Sequence, residues 1–191
     1  MKHLEELIYQ KYSRNDIYKE LKRYLKEYKN SLETSESMSA ASFLYKHTKT
    51  IDDFITLIYK LTLRDAFENF LPLSSQVPLT VCALGSYGRE ELCIYSDIDI
   101  MICYKELKGY NIKPIIEEIL YASWDIGLKL GHRVHTISEL QGAANEDITI
   151  KSAMIESRFI CGSRPLWFEI ENELNKIRKK DRKEFINAKI E

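Results

Sequence analysis

Two carboxylates, Asp97 and Asp99, stand two residues apart at the start of an apolar segment, Ile98–Tyr104. On a β-strand, residues two apart point to the same face, so these two side chains are expected to project together. Carboxylates at such close range repel each other unless one is protonated or a cation lies beside them. Mg²⁺ binds carboxylate oxygens and usually completes its shell with substrate phosphates. The pair therefore predicts a Mg²⁺ site, in which Mn²⁺ can replace Mg²⁺.

A second candidate site, Gly85-Ser86, ends a short apolar run at residues 79–84, whose length and composition predict a buried strand. Glycine permits close approach of a ligand to the backbone, and a helix that begins there would present its positive end to a phosphate. Gly85 and Ser86 are therefore predicted to bind a phosphate group. A phosphate site and a metal pair about a dozen residues apart indicate transfer of a nucleotidyl group.

The stretch from Gly85 to Ile102, GSYGREELCIYSDIDIMI, resembles the signature of the DNA-polymerase-β-like nucleotidyltransferase superfamily. Within that superfamily it is most similar to the N-terminal domain of bacterial protein-PII uridylyltransferases. The resemblance extends from about residue 79 to the C-terminus and includes the segments WDIGL at 124–128, GHRVHT at 131–136, EDIT at 146–149 and ESRFICG at 156–162.

The resemblance implies an enzyme that moves a nucleoside monophosphate, UMP from UTP, to an acceptor hydroxyl and releases pyrophosphate. The implied acceptor is a tyrosine of the PII signal protein, which would place the chain in nitrogen regulation. Asp97 and Asp99 are the predicted catalytic metal ligands, and the predicted nucleotide-binding residues are Gly85, Ser86, Arg89 and Ser96. Further candidates for the site are Tyr87, Glu91, Arg133, His135 and Asp147.

Several of these further candidates have a common structural alternative. His135, on a predicted strand, is a candidate general base, although a histidine there more often packs or hydrogen-bonds. Tyr87 and Tyr95 could stack on a base, although packing is the commoner role of tyrosine. The predicted strand Arg133–Ile137 contains no third carboxylate, and Asp147 is the nearby acid considered for that role.

Two other classes of function stay open at this point. One is a nucleotidyltransferase that modifies a small molecule, an RNA end or a toxin partner. The other is a non-catalytic nucleotide-sensing module with the same fold. In the uridylyltransferase family a phosphohydrolase domain and ligand-sensing domains follow this one, so the chain is expected to be either part of a longer enzyme or a stand-alone relative.

The composition excludes several classes of protein. The 191 residues are 45% hydrophobic and 30% charged, as in ordinary globular proteins. The formal net charge of −1 argues against bulk electrostatic binding of nucleic acid. No apolar run approaches the roughly 20 residues that a membrane span needs, and the charged N-terminus lacks a signal-peptide core. The four cysteines have no CxxC spacing, which predicts a cytoplasmic protein without disulfides or a zinc site.

The predicted fold is α/β (α+β), a small mixed sheet flanked by helices, with a helical N-terminal segment at 1–72 and the nucleotidyltransferase core at 73–191. Helical spacing of apolar residues predicts one broken or two short helices in 1–29, with Asn15-Asp16 as a cap, and a long helix over 37–70. Another helix is predicted over 110–130, with Trp124 on its buried side and Gly127 and Gly131 as terminators. Helices are also predicted over 148–161 and 165–191, the last of them peripheral.

Overall fold

The computed structural model describes residues 2–10, 12–32, 39–68 and 70–179. The chain divides into two compact units. The first consists of Met1–Leu73, Glu90–Ile98 and Ile112–Gly131, and the second of Ser74–Arg89, Asp99–Asn111 and His132–Glu191. The predicted division at residue 72 stays a prediction.

In chain order the α-helices are α1 (Lys2–Tyr9), α2 (Arg14–Leu32), α3 (Ala40–Ala66), α4 (Gly85–Gly88), α5 (Lys113–Ile126), α6 (Leu140–Glu146), α7 (Ile148–Ile155) and α8 (Arg164–Lys179). The strands are β1 (Leu79–Ala83), β2 (Ile98–Tyr104), β3 (Leu130–Thr136) and β4 (Arg158–Gly162). The predicted fold class is confirmed, because these elements form a mixed four-stranded sheet with helices around it. No helix within the described ranges is both long enough and apolar enough to cross a bilayer.

The first unit is built on α3, whose apolar side chains recur at helical spacing and bury Phe54, Ile55 and Ile58. Ser39 caps this helix, because its side chain accepts a hydrogen bond from the Ser42 amide. The end of α1 is held by Arg64, which is buried and donates to the Ile8 and Tyr12 carbonyls at 3.2 and 3.1 Å.

Three predicted details of the first unit are wrong. The residue that caps α2 is Ser13, whose Oγ accepts from the Asp16 amide at 3.2 Å, and Asn15-Asp16 lie inside the first turn. Phe70 lies beyond the end of α3 and is 64% exposed. Trp124 is 40% exposed, because the buried positions of α5 are taken by isoleucines, leucine and small residues. Gly127 ends α5 in the left-handed conformation, as predicted.

The sheet has the strand order β3-β2-β1-β4. Strand β1 pairs antiparallel with β2, with Val81 opposite Ile102, and antiparallel with β4, with Val81 opposite Cys161. All five residues of β1 are buried, which explains why its sequence is continuously apolar apart from Thr80. Strand β3 begins earlier than predicted, at Leu130, so Gly131 lies inside a strand and does not end a helix.

The helix predicted over 148–161 is wrong in its second half. Helix α7 ends at Ile155, and Arg158–Gly162 forms the fourth strand. The register shifts between Val81 and Cys82, where β4 carries a bulge. Gly162 has φ +107°, and a Cβ there would lie 2.3 Å from the Leu79 carbonyl oxygen. Only glycine fits this close approach of two strands.

Helix α8 is not peripheral, in contrast to the prediction. One face of it is buried in the second unit through Leu166, Trp167, Ile170, Leu174 and Ile177. These side chains form a core cluster with residues of β1, β2, α6 and α7. Its charged residues, which suggested a peripheral helix, occupy the remaining face. The predicted helix over 180–191 lies outside the described residues.

Candidate functional site

The turn after β1 lies next to the start of β2. The Leu84 amide donates to the Asp99 carbonyl at 2.9 Å, one step beyond the paired positions Ala83 and Ile100. The chain then enters α4 at Gly85, which has φ +55°. A Cβ added to Gly85 would meet nothing within 4 Å. Glycine at this position therefore serves a backbone conformation, and the space beside it is open.

Helix α4 is a single turn of four residues. The helix dipole predicted to attract a phosphate here adds little, because so few peptide units are aligned. Gly85 and Ser86 are half-exposed. The groups in them that could contact a phosphate are the backbone amides and the Ser86 hydroxyl. The second half of the turn has a different environment, since Tyr87 and Gly88 are buried.

Exposure alternates along the start of β2. Asp97 and Asp99 are exposed, whereas Ile98 and Ile100 are buried. The Ile98 amide is tied to the Lys129 carbonyl at 2.9 Å, which fixes the strand at this point. Asp97 lies directly before β2 and Asp99 within it, and the alternation of exposed and buried residues is that of a strand with one solvent-facing side.

Tyr87 and Gly88 pack against the segment that joins α7 to β4. A Cβ on Gly88 would lie 2.0 Å from the Glu156 carbonyl oxygen, so the two backbones touch. Tyr87 is fully buried, and the Arg158 guanidinium lies 5.5 Å from the centre of its ring. Arg158 also donates to the Tyr87 carbonyl at 3.3 Å. Tyr87 therefore packs, and its burial excludes it as a surface on which a base stacks.

Arg89 is exposed and forms an ion pair with Glu156 across 2.5 Å. Glu91 and Arg133 are both exposed. Their predicted roles in the site stay predictions.

Asp147 has a structural role at the start of α7. Its carboxylate accepts from the Thr149 amide at 2.5 Å and caps the helix. The hydrogen bonds from Thr149 lower the pKa of this carboxyl below its usual value. These hydrogen bonds explain the position of the Asp147 carboxylate without a bound metal ion.

His135 lies half-buried on β3. Burial lowers the pKa of its imidazole, the charge of Arg133 adds to this shift, and Glu139 and Glu146 oppose it without reversing it. Its Nε2 is buried without a hydrogen-bond partner among the described residues. A neutral, half-buried ring fits the packing role that the sequence also allows.

The four cysteines, all within the described residues, are reduced thiols. Cys82, Cys103 and Cys161 are buried, and Cys93 is exposed. Burial raises the pKa of Cys103 to about 12, and that of Cys82 is raised well above its ordinary value, chiefly by burial. Such thiols behave as small apolar side chains. Within the described part of the chain, no group of three or more His, Cys, Asp or Glu residues is arranged to hold a metal ion.

Ser96 is exposed in the turn before β2, where its amide donates to the Cys93 carbonyl at 3.2 Å. It also lines a pocket of about 330 Å³ in the first unit, together with Tyr28, His47 and Tyr95. Sequence reasoning missed Tyr28 and His47, because they belong to helices far from the motif in the chain. The only signal was their aromatic character within the amphipathic helices α2 and α3.

Comparison with known proteins bears on the chemistry of this site. Residues 33–126 match the sequence model of a family described as "Putative nucleotidyltransferase DUF294". That range includes α4, Asp97 and Asp99. The chain carries a DUF294 nucleotidyltransferase domain.

Several curated relatives carry the name bifunctional uridylyltransferase/uridylyl-removing enzyme. The protein of that name from Cereibacter sphaeroides is 37% identical over 137 residues, which are 68% of this chain and 14% of the relative. The one from Azospirillum brasilense is 31% identical over 140 residues, 73% of this chain and 15% of the relative. The protein from Haemophilus influenzae strain Rd is 33% identical over 122 residues, 62% of this chain and 14% of the relative. The chain thus spans about one seventh of the length of these relatives.

Proposed function

We propose that this nucleotidyltransferase domain moves a nucleoside monophosphate from a nucleoside triphosphate to an acceptor hydroxyl with the help of Mg²⁺ or Mn²⁺. The observation that carries the proposal is the alternation of exposed Asp97 and Asp99 with buried Ile98 and Ile100. The hydrogen bond from the Leu84 amide to the Asp99 carbonyl supports it, because it brings the Gly85 turn beside this strand.

The identity of the nucleotide and acceptor is the finer part of the proposal. The names of the relatives favour UTP as the nucleotide. The resemblance to protein-PII uridylyltransferases favours a tyrosine of the PII signal protein as the acceptor. In the reaction, the bond from the acceptor oxygen to the α-phosphorus forms and the bond from that phosphorus to pyrophosphate breaks. The hydroxyl proton is lost to water.

Asp97 and Asp99 are the residues that would hold the metal ion. They fit a hard cation, because both are carboxylates and both are exposed, Asp97 directly before β2 and Asp99 within it. Two carboxylates leave most of the coordination shell to triphosphate oxygens and water, which suits Mg²⁺. When bound, the ion would neutralise charge on the phosphates and align the attacking and leaving oxygens.

The remaining residues of the proposed site bind and orient the triphosphate. Gly85 would let a phosphate approach the backbone, and the Ser86 hydroxyl would donate a hydrogen bond to it. Ser96 and Arg89 are proposed as further contacts, because both side chains are exposed and a guanidinium binds phosphate oxygens strongly. These roles rest on position and exposure.

Release of pyrophosphate tests the proposal. The full chain is incubated with Mg²⁺ and each of UTP, CTP, ATP and GTP, with and without purified PII protein. We expect pyrophosphate from UTP in amounts equal to the UMP attached to PII. Pyrophosphate released from another nucleotide, or without PII, would still indicate a nucleotidyltransferase. It would overturn the assignment of UTP as the nucleotide or of PII as the acceptor. A melting temperature raised by nucleotide and Mn²⁺, with no pyrophosphate under any condition, would point to a nucleotide-sensing module.

A further inference from the structure

The pocket that Ser96 lines lies entirely within the first unit. Its volume is about 330 Å³, within the range of small-molecule sites. Leucine and isoleucine side chains from α2, α3, the turn before β2 and the segment after α5 form much of its wall. An apolar wall with a few polar groups is the usual composition of a site for a small organic ligand.

A hydrogen-bonded aromatic pair contributes polar atoms to the helical side of the pocket. The hydroxyl of Tyr28 and Nδ1 of His47 are 2.7 Å apart. Their rings stack with centroids 5.8 Å apart and planes 12° apart. Each group holds the other in place, so the pocket offers a rigid flat surface with hydrogen-bonding atoms at its edge.

The charge around the pocket is positive. Lys29 and Lys129 belong to the lining, and no described lining residue is a carboxylate. The ammonium of Lys29 donates to the Gly127 carbonyl at 2.9 Å, which anchors the cation at the wall and leaves it further donors. An anionic ligand with an apolar or aromatic body is complementary to this lining.

The chain itself links the pocket to the proposed metal ligand. Tyr95, Ser96 and Ile98 line the pocket, and Asp97 stands between the last two. Tyr95 is 91% exposed, so its ring is available to a ligand. A molecule in the pocket would therefore lie beside the backbone that carries Asp97.

We infer that this pocket binds the base of the nucleoside triphosphate and determines which nucleotide is used. The inference rests on the proposed function. A base is a flat heterocycle with several hydrogen-bonding atoms, and it is attached to an anionic phosphate chain. The flat Tyr28–His47 pair, the exposed Tyr95 ring and the two lysines match these three properties. A tyrosine side chain of an acceptor protein lacks the negative charge, so the lysines favour the nucleotide.

The test separates the base from the phosphates. Calorimetry measures binding of UTP, CTP, ATP, GTP and inorganic tripolyphosphate to the full chain, each with Mg²⁺. The variants are Tyr95→Ala and Tyr28→Phe, both mild changes to exposed or half-exposed residues. Tyr45→Ala is the matched control, because Tyr45 is an exposed tyrosine of the same unit outside the pocket lining.

Loss of a stacking ring in Tyr95→Ala should weaken the tightest-binding nucleotide by about tenfold. Tyr28→Phe should weaken it by a few-fold and change the order of preference among the four bases. Tripolyphosphate should bind both variants and the control as it binds the wild type. Unchanged nucleotide binding in the two variants, or an equal loss for tripolyphosphate, would overturn the base pocket alone. A wild-type chain that binds neither nucleotide nor tripolyphosphate would overturn the proposed function as well.

Discussion

The motif that follows β1 contains two groups of residues with opposite environments. The open group, Gly85, Ser86, Asp97 and Asp99, is exposed or half-exposed, and a Cβ on Gly85 would meet no atom within 4 Å. The packed group, Tyr87 and Gly88, is buried, and a Cβ on Gly88 would lie 2.0 Å from the Glu156 carbonyl oxygen.

The difference separates ligand binding from folding within one short stretch of sequence. Changes in the open group remove groups that contact solvent, so they should alter ligand binding and leave stability nearly intact. Changes in the packed group should do the reverse. The glycines illustrate the contrast, since Gly85 provides a left-handed backbone conformation and Gly88 provides room for another backbone.

The largest effect is expected from the carboxylates of the open group. Asp97→Asn or Asp99→Asn should lower the rate of nucleotidyl transfer by roughly 100-fold or more, because each removes a charge that holds the metal ion. The melting temperature should stay close to that of the wild type. Pyrophosphate release and thermal unfolding measure the two effects. Asp147→Asn is the control, since asparagine also caps a helix, and it should retain activity.

The packed group should show the opposite result. Gly88→Ala is expected to destabilise the fold by about 3 kcal/mol, because the atoms it meets are backbone atoms that cannot move aside cheaply. Gly85→Ala should cost only about 1 kcal/mol, for its left-handed φ. Urea unfolding of the two variants compares them. Equal losses of stability would mean that the two glycines do not differ as described.

Arg89 sharpens the comparison because it is exposed and also paired with Glu156. Arg89→Gln should cost less than about 1 kcal/mol of stability, as surface ion pairs contribute little. If Arg89 contacts a phosphate, the same change should weaken nucleotide binding about tenfold. Glu156→Gln breaks the same pair and leaves the guanidinium in place, so it should not weaken binding. Equal nucleotide affinity in both variants and the wild type would exclude Arg89 from the site.

The smallest effect on stability is expected for His135. This residue is half-buried, and we interpret it as a packing residue. Because burial lowers the pKa of the folded imidazole, the unfolded chain takes up a proton first as the pH falls. Stability from the neutral ring is fully present above the unfolded pKa of about 6.5 and declines as the pH falls through that value towards the folded pKa.

Unfolding by urea between about pH 8 and pH 5 measures this slope. His135→Gln should have a shallower slope than the wild type. His47, whose pKa is also lowered by burial, remains in both proteins, so it does not enter the difference. Identical slopes would show that His135 titrates alike in the folded and unfolded chains.

The sequence predicts the first half of the second unit well and the last part poorly. Strands β1 and β2 each carry a run of apolar and β-branched residues between clear breaks, so local pattern alone defines them. Strand β4 is only five residues long and follows a helix without a glycine or proline break. Its partner is β1, more than seventy residues earlier, and such a distant pairing leaves no local signal.

Some features of the candidate site can likewise be predicted from local sequence, and others cannot. The exposure of Asp97 and Asp99 between the buried Ile98 and Ile100 follows the alternation that the period of a strand predicts, and their joint role in the site stays a prediction. The burial of Tyr87 and the pair between Arg89 and Glu156 depend on how the segment after α7 packs, whereas the cap by Asp147 is a local contact at the start of that helix. The pocket with Tyr28 and His47 depends on two helices that precede the motif, so neither residue stands out in the sequence.

Counting bound Mn²⁺ tests most directly the claim that Asp97 and Asp99 hold the metal–nucleotide complex. Electron paramagnetic resonance measures free and bound Mn²⁺ in the presence of a non-hydrolysable triphosphate, without an acceptor. We predict one tightly bound ion per wild-type chain and per Asp147→Asn chain, and a large loss of that ion in Asp97→Asn and Asp99→Asn. Undiminished binding of Mn²⁺ by Asp97→Asn and Asp99→Asn would contradict the account.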